Sequence, residues 1–155
     1  MNLKVVGSNQ MIAGYENGEL VLFDLRSLAE VESINIFKGQ PVMCFDFSTQ
    51  IMTGYAGSAE SKLFSFKIDQ NKLVLDESVT LVNPGLNCIR IRKSDSKIVA
   101  TGGWDSRMRL FSTKKRTLLA CLDFHKEAIN TIDFSMENLI AAGSNDGIIS
   151  FWKLY

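Results

Sequence analysis

One segment type recurs four times along the chain, and a repeat constrains the fold more than any local signal does. Each copy runs as a short apolar strand, a small-residue step ending in glycine, a polar turn, and a second strand with an aromatic near its end. The copies are Met11-Ile12-Ala13-Gly14 to Leu20-Val21-Leu22-Phe23, Ile51-Met52-Thr53-Gly54 to Leu63-Phe64-Ser65-Phe66, Val99-Ala100-Thr101-Gly102 to Met108-Arg109-Leu110-Phe111, and Ala141-Ala142-Gly143 to Ile149-Ser150-Phe151-Trp152. The glycines at 14, 54, 102 and 143 are spaced by 40, 48 and 41 residues, and the aromatics at 23, 66, 111 and 152 by 43, 45 and 41.

Those spacings match the period of a β-propeller blade, roughly 40–45 residues. Two further strand-like elements precede three of the copies. One is an inner strand at Val42–Ser48, Leu86–Ile91 and Ile129–Ser135; the other is an outer strand at Ile34–Phe37, Val79–Val82 and Leu118–Leu122. Runs such as Leu20-Val21-Leu22-Phe23 are apolar throughout, as a sheet covered on both faces requires. The chain therefore reads as all-β, with repeat copies at about 1–25, 31–68, 73–113 and 117–155. Ser27-Leu28-Ala29-Glu30 is compatible with one helical turn. Counted from Asn2, the pattern supplies about 3.75 four-stranded blades, the last without its outer strand. We expect such a chain to be the C-terminal half of a longer protein, or a truncated product.

Charge and residue inventory exclude several functions. With 17 Lys+Arg against 17 Asp+Glu, the chain has no basic footprint for phosphates, and direct nucleic-acid binding is not expected. The N-terminal residues lack the apolar core of a signal peptide, and no apolar stretch approaches the eighteen or so residues of a membrane span, so a membrane role is not expected either. Cys44, Cys88 and Cys121 form neither an even set nor a CxxC pair, and His125 is the only histidine, which excludes a disulfide framework and a zinc site. Catalysis needs a base with a nucleophile or metal beside it. His125 reads as structural, the cysteines as buried small hydrophobes, and Gly102-Gly103 lies between strands rather than before a helix. No catalytic residue, cofactor or metal is expected.

At Gly103-Trp104-Asp105-Ser106-Arg107-Met108-Arg109, His125, Ser144-Asn145-Asp146 and Trp152-Lys153-Leu154-Tyr155, the chain resembles WD-repeat propellers. More narrowly, it is similar to the C-terminal half of the guanine-nucleotide-binding-protein beta-subunit-like proteins, whose fungal relatives are called ASTRA-associated protein. The match is strongest over residues 95–155. The resemblance implies a seven-bladed ring and, in each blade, a buried network of His, Ser/Thr, Asp and Trp. Carried over, the last repeat supplies His125, Asp146 and Trp152, with Ala142 at the hydroxyl position. The third supplies Thr101 and Asp105, with Phe111 for Trp and no histidine near Asn83-Pro84-Gly85; the first keeps only Asn17 at the Asp position. Half-satisfied networks destabilise, so these blades are expected to lean on apolar packing.

The resemblance also places Glu16, Trp104 and Asn145, each just before an Asp-type position, on one rim. Trp104 is either a contact anchor there or folds back over a neighbouring blade, and Arg107 is a further contact candidate or pairs with Asp105. Arg90, Arg92 and Lys93, and Lys114-Lys115-Arg116, read as solvated edges. The implied function is a non-catalytic scaffold for protein partners, in a complex that matures phosphatidylinositol-3-kinase-related kinases with co-chaperones or, in fungi, in the chromatin-related ASTRA complex. Its location is then the nucleus, the cytoplasm or both. The alternative is a G-protein beta-type signalling subunit, against which stands the lack of a long helical pattern near Met1.

Overall fold

A computed structural model of the protein describes residues 2–154, so Tyr155 of the Trp-x-Leu-Tyr ending lies outside the described residues. Their 15 strands form four antiparallel sheets. The first holds β1 (Asn2–Val6), β2 (Gln10–Gly14), β3 (Glu19–Asp24) and β4 (Ala29–Asn35). The second holds β5 (Cys44–Ser48), β6 (Thr53–Gly57), β7 (Lys62–Asp69) and β8 (Lys72–Thr80). The third holds β9 (Leu86–Ile91), β10 (Ile98–Gly103), β11 (Arg107–Ser112) and β12 (Leu118–Asp123). The fourth has three strands, β13 (Ile129–Phe134), β14 (Leu139–Ser144) and β15 (Ile149–Lys153). These are blades 1 to 4 of a propeller, each a simple meander from the inner strand outward.

Blade stacking follows from the two apolar faces of each sheet. Three clusters of buried side chains lie one between each consecutive pair of blades. The first joins Ile12, Leu20 and Leu22 to Phe37, Phe45 and Phe66; the second joins Tyr55 and Leu63 to Leu86, Ile89 and Val99; the third joins Ala100 and Leu110 to Ile129, Ile132 and Ile140. Polar ties cross the same seams. Asp46, in the inner strand of blade 2, accepts from the Ile91 backbone N–H of blade 3 (2.8 Å) and pairs with Lys4 of blade 1 (2.7 Å). Tyr55 of blade 2 donates its hydroxyl to the Thr113 carbonyl of blade 3 (2.9 Å).

The ladder corrects the repeat alignment at one position. In the β2–β3, β6–β7, β10–β11 and β14–β15 pairings, Gly14, Gly57, Gly102 and Gly143 face Leu20, Leu63, Met108 and Ile149. The equivalent glycine of the second copy is therefore Gly57, not Gly54, and the glycine spacings become 43, 45 and 41, identical to those of the aromatics. Close approach of the next blade explains three of them: a Cβ at Gly14 would sit 2.8 Å from Val42, at Gly57 2.7 Å from Leu86, and at Gly102 2.6 Å from Ile129. Gly54 makes room instead for the Phe66 ring of its own blade.

Three local expectations also change. Ser27 to Glu30 is not helical: Leu28 takes a positive φ of 55° in a turn, and β4 starts at Ala29. The outer strands β4 and β8 begin earlier than the apolar patches that suggested them, because alternation in a half-exposed strand hides its first residues among charges. Cys121 is exposed, on the outward side of the alternating strand β12, whereas Cys44 and Cys88 are buried in inner strands.

Candidate functional site

The turns between second and third strands carry the chemistry, and two hydrogen-bonded chains organise them. The first is buried in blade 4. Trp152 Nε1–H donates to Ser150 Oγ (3.1 Å), Ser150 Oγ lies 2.8 Å from His125 Nε2, and His125 Nδ1 lies 3.0 Å from Asp146 Oδ2. A carboxylate only accepts, so Nδ1–H donates to Asp146; a neutral imidazole then accepts at Nε2 from the Ser150 O–H, whose oxygen accepts from the indole. Asp146 also accepts from the backbone N–H groups of Lys126 and Ile148, both at 3.0 Å. Burial pushes its carboxyl up, but those two N–H groups and His125 outweigh it and hold the group down at about 2.

This network is complete, contrary to the expectation set by Ala142. The hydroxyl comes from Ser150, which stands directly across the ladder from Ala142. Blade 3 solves the same problem with a cation. Arg109, opposite Thr101 as Ser150 is opposite Ala142, sends Nη1 and Nη2 to Asp105 at 3.1 and 2.5 Å, and Asn83 Nδ2 adds a third bond at 2.8 Å. Thr101 does not join this group; its hydroxyl donates to the Arg109 carbonyl (3.5 Å). Burial raises the Asp105 carboxyl, and Arg109 and Asn83 together bring it down to about 2. Sequence reading missed Ser150, Arg109 and Asn83: Ser150 and Arg109 act from the facing strand, across from the hydroxyl position, and Asn83 lies where the pattern looks for a histidine.

The second chain runs along the rim. Trp104 Nε1–H donates to Asn87 Oδ1 (2.7 Å), Asn87 Nδ2 donates to Asn130 Oδ1 (3.1 Å), and Asn130 Nδ2 donates to Asn145 Oδ1. Its polarity is set by the donor-only indole. Asn145, which is exposed, closes the chain as an acceptor. Two of the expected rim residues, Trp104 and Asn145, are thereby linked across blades 3 and 4. Asn87 and Asn130 were missed, although they hold the same place in the inner strands β9 and β13, 43 residues apart.

Trp104 is 46% exposed. It lies on its own blade: its backbone N–H bonds to the Gly85 carbonyl (3.0 Å), and its ring covers Gly85 so closely that a Cβ there would sit 2.1 Å from the indole. Arg107 does not pair with Asp105, which Arg109 has taken; its Nε and Nη2 reach Asp123 at 3.2 and 3.1 Å. Glu16 is exposed in the turn of blade 1, where Asn17 bridges to Glu19 (2.7 Å), and no hydrogen bond among the described residues joins it to the Trp104 chain. Among the described residues, no three His, Cys, Asp or Glu side chains converge as a metal-ligand set.

Stacked four-stranded meanders, with an Asp–His–Ser–Trp network behind the turns, define a WD-repeat propeller. Residues 116–153 match the WD domain, G-beta repeat family. Over 94% of its length, the chain is 38% identical to mouse (Mus musculus) guanine nucleotide-binding protein subunit beta-like protein 1. At the same coverage it is 36% identical to ASTRA-associated protein 1 of Schizosaccharomyces pombe and 31% to that of Schizosaccharomyces japonicus. It corresponds to the C-terminal half of these relatives and spans 44% of the length of each. Propellers of this class generally serve as interaction scaffolds.

Proposed function

We propose that this chain is a non-catalytic scaffold that captures a protein partner on the Trp104 rim, as a subunit of an ASTRA-like, chromatin-related or kinase-maturation complex, in the nucleus, the cytoplasm or both. The observation that carries the rim assignment is the half-exposed Trp104 indole, fixed by Asn87 and Gly85 at one end of a side-chain amide chain. A large aromatic held rigid in a polar turn is the kind of anchor on which binding energy concentrates. The assignment to an ASTRA-like complex is supported by the names of the fungal relatives. The mouse relative's name expresses likeness to a G-protein beta subunit and brings no signalling activity to this chain.

The test is reciprocal affinity capture with tagged intact chain and its Trp104→Ala variant, scored for ASTRA or kinase-maturation subunits by mass spectrometry. Recovery of those subunits with the unmodified chain and their loss in a folded Trp104→Ala protein supports the reading. Equal recovery by both moves the contact away from this rim. General chaperones alone, with both proteins, overturn the scaffold reading for this chain.

A further inference from the structure

We infer that the end of the propeller opposite the Trp104 rim carries a second docking groove, between blades 2 and 3, for an acidic peptide segment with an apolar side chain among its carboxylates. The groove has a volume of about 430 Å³ and is lined by the β5–β6 turn, the β9–β10 turn and the β11–β12 turn. Its lining holds four cations, Lys67, Lys97, Lys114 and Arg116, against one carboxylate, Asp95.

The charges sort into two groups. Lys67 pairs with Asp76 at 2.9 Å, and Arg116 bridges Asp76 and Glu77, so these two cations are occupied by blade 2. Asp95 is taken by Arg92, which reaches it with two N–H groups at 2.8 and 2.6 Å. Lys97 and Lys114 are exposed and have no direct ion pair among the described residues. Both ammonium groups line a groove whose single lining carboxylate, Asp95, is held by Arg92 and also attracts Lys97, so the lining keeps a net positive charge. The hydroxyls there are likewise used internally: Thr53 donates to the Ile51 carbonyl and Thr113 to the Ser96 carbonyl.

Across the groove from these two lysines, blade 2 presents an apolar residue. Ile51 is 37% exposed at the groove, and the methylene stems of Lys67, Lys97 and Lys114 extend the apolar surface beneath their charged heads. Carboxylates beside a Leu- or Ile-like side chain complement that arrangement. Nucleic acid does not: no aromatic ring lines the groove for base stacking, and the chain's cations are balanced by its anions. Lys114 belongs to a cluster that sequence alone read as a solvated edge; the fold places its turn beside that of Lys97 on blade 3, where the Thr113 N–H bonds to the Lys97 carbonyl (3.0 Å).

Fluorescence polarisation with the intact chain tests the groove. The probes are a short labelled peptide of Asp and Glu around one Leu, the same peptide with Ser for Leu, its Gln/Asn analogue, and a labelled oligothymidylate. Saturable binding of the Leu-containing acidic peptide is expected, weaker for the Ser and Gln/Asn forms. Lys97→Glu combined with Lys114→Glu should reduce affinity about tenfold or more, the scale for reversing two exposed charges. Because salt screens exposed charges, affinity for the unmodified protein must also fall as salt rises, a readout that needs no variant. Absence of saturable binding, salt-independent binding, insensitivity to the double reversal in a folded protein, or tighter binding of the oligothymidylate overturns the inference. Trp104→Ala should leave this binding unchanged, which separates it from failure of the rim reading.

Discussion

Ser150 stands directly opposite Ala142 in the β14–β15 ladder, and its hydroxyl receives the Trp152 indole N–H while bonding to His125. Ser150→Ala leaves both of those buried groups without a partner, and the cost expected is about 1–3 kcal/mol. Ala142→Ser in the Ser150→Ala background returns a hydroxyl from the facing strand and should recover part of that loss. Urea unfolding of the three proteins, compared at constant m, measures both effects; a Ser150→Ala midpoint equal to the parent's would mean that the network carries no stability.

Trp152→Ala removes an aromatic that is only partly buried, with the exposed Phe124 edge-on against the indole at 6.1 Å. The expected loss is about 2–3 kcal/mol, below the roughly 3–5 kcal/mol of a fully buried Trp. The same urea titration reads it. A cost at or above the upper figure would show that the ring is more enclosed than its contacts indicate.

Asp105 and Asp146 both titrate at about 2 in the folded chain, against an ordinary 3.8. As pH falls from about 4 to about 2, the unfolded carboxyls take up protons before the folded ones do, so stability drops across that window and is fully present above it. Asp146→Asn should flatten the pH dependence of the urea midpoint below pH 4. An unchanged slope in that variant would remove Asp146 as a cause of acid unfolding.

Of the three thiols, only Cys121 is exposed; burial pushes Cys44 well above the usual thiol range and Cys88 up to about 12. A thiol-specific reagent at neutral pH should therefore modify one cysteine rapidly in the native protein and three in denaturant, and Cys121→Ser should abolish the fast phase. Two or more fast thiols would show that the inner strands open on the timescale of labelling.

Gly85→Ala probes the rim without touching Trp104. Gly85 has a φ of 87°, and a Cβ there would collide with the indole at 2.1 Å, so the substitution strains the backbone and must displace the ring. Partner capture should fall as it does in Trp104→Ala. If Gly85→Ala captures its partner normally while folded, the position of the ring is not what the partner reads.

The repeat made the blades legible because spacing survives when residue types drift. Phe23, Phe66, Phe111 and Trp152 keep one period, and that alone places four sheets. Gly54 misled the glycine alignment since it too follows a small residue, and the β6–β7 ladder, which sets Gly57 opposite Leu63, distinguishes the two. The networks were less legible. A hydroxyl at 150 and a guanidinium at 109 reach the same space as a side chain at 142 or 101, and a strand pairing, not a one-dimensional pattern, brings those positions together. The rim amides were within reach: Asn87 and Asn130 are equivalent residues of two quoted inner strands, and a polar side chain repeated at one place in two blades is a signal in itself.

The donor-only indole has a consequence for kinetics. An asparagine amide can ordinarily turn over and show a visitor either oxygen or nitrogen, and a partner must wait for, and then freeze, the useful orientation. Trp104 removes that choice at Asn87, and through it at Asn130 and Asn145. The ordering entropy is settled before any encounter, so what a partner gains on this rim should appear as a longer residence time.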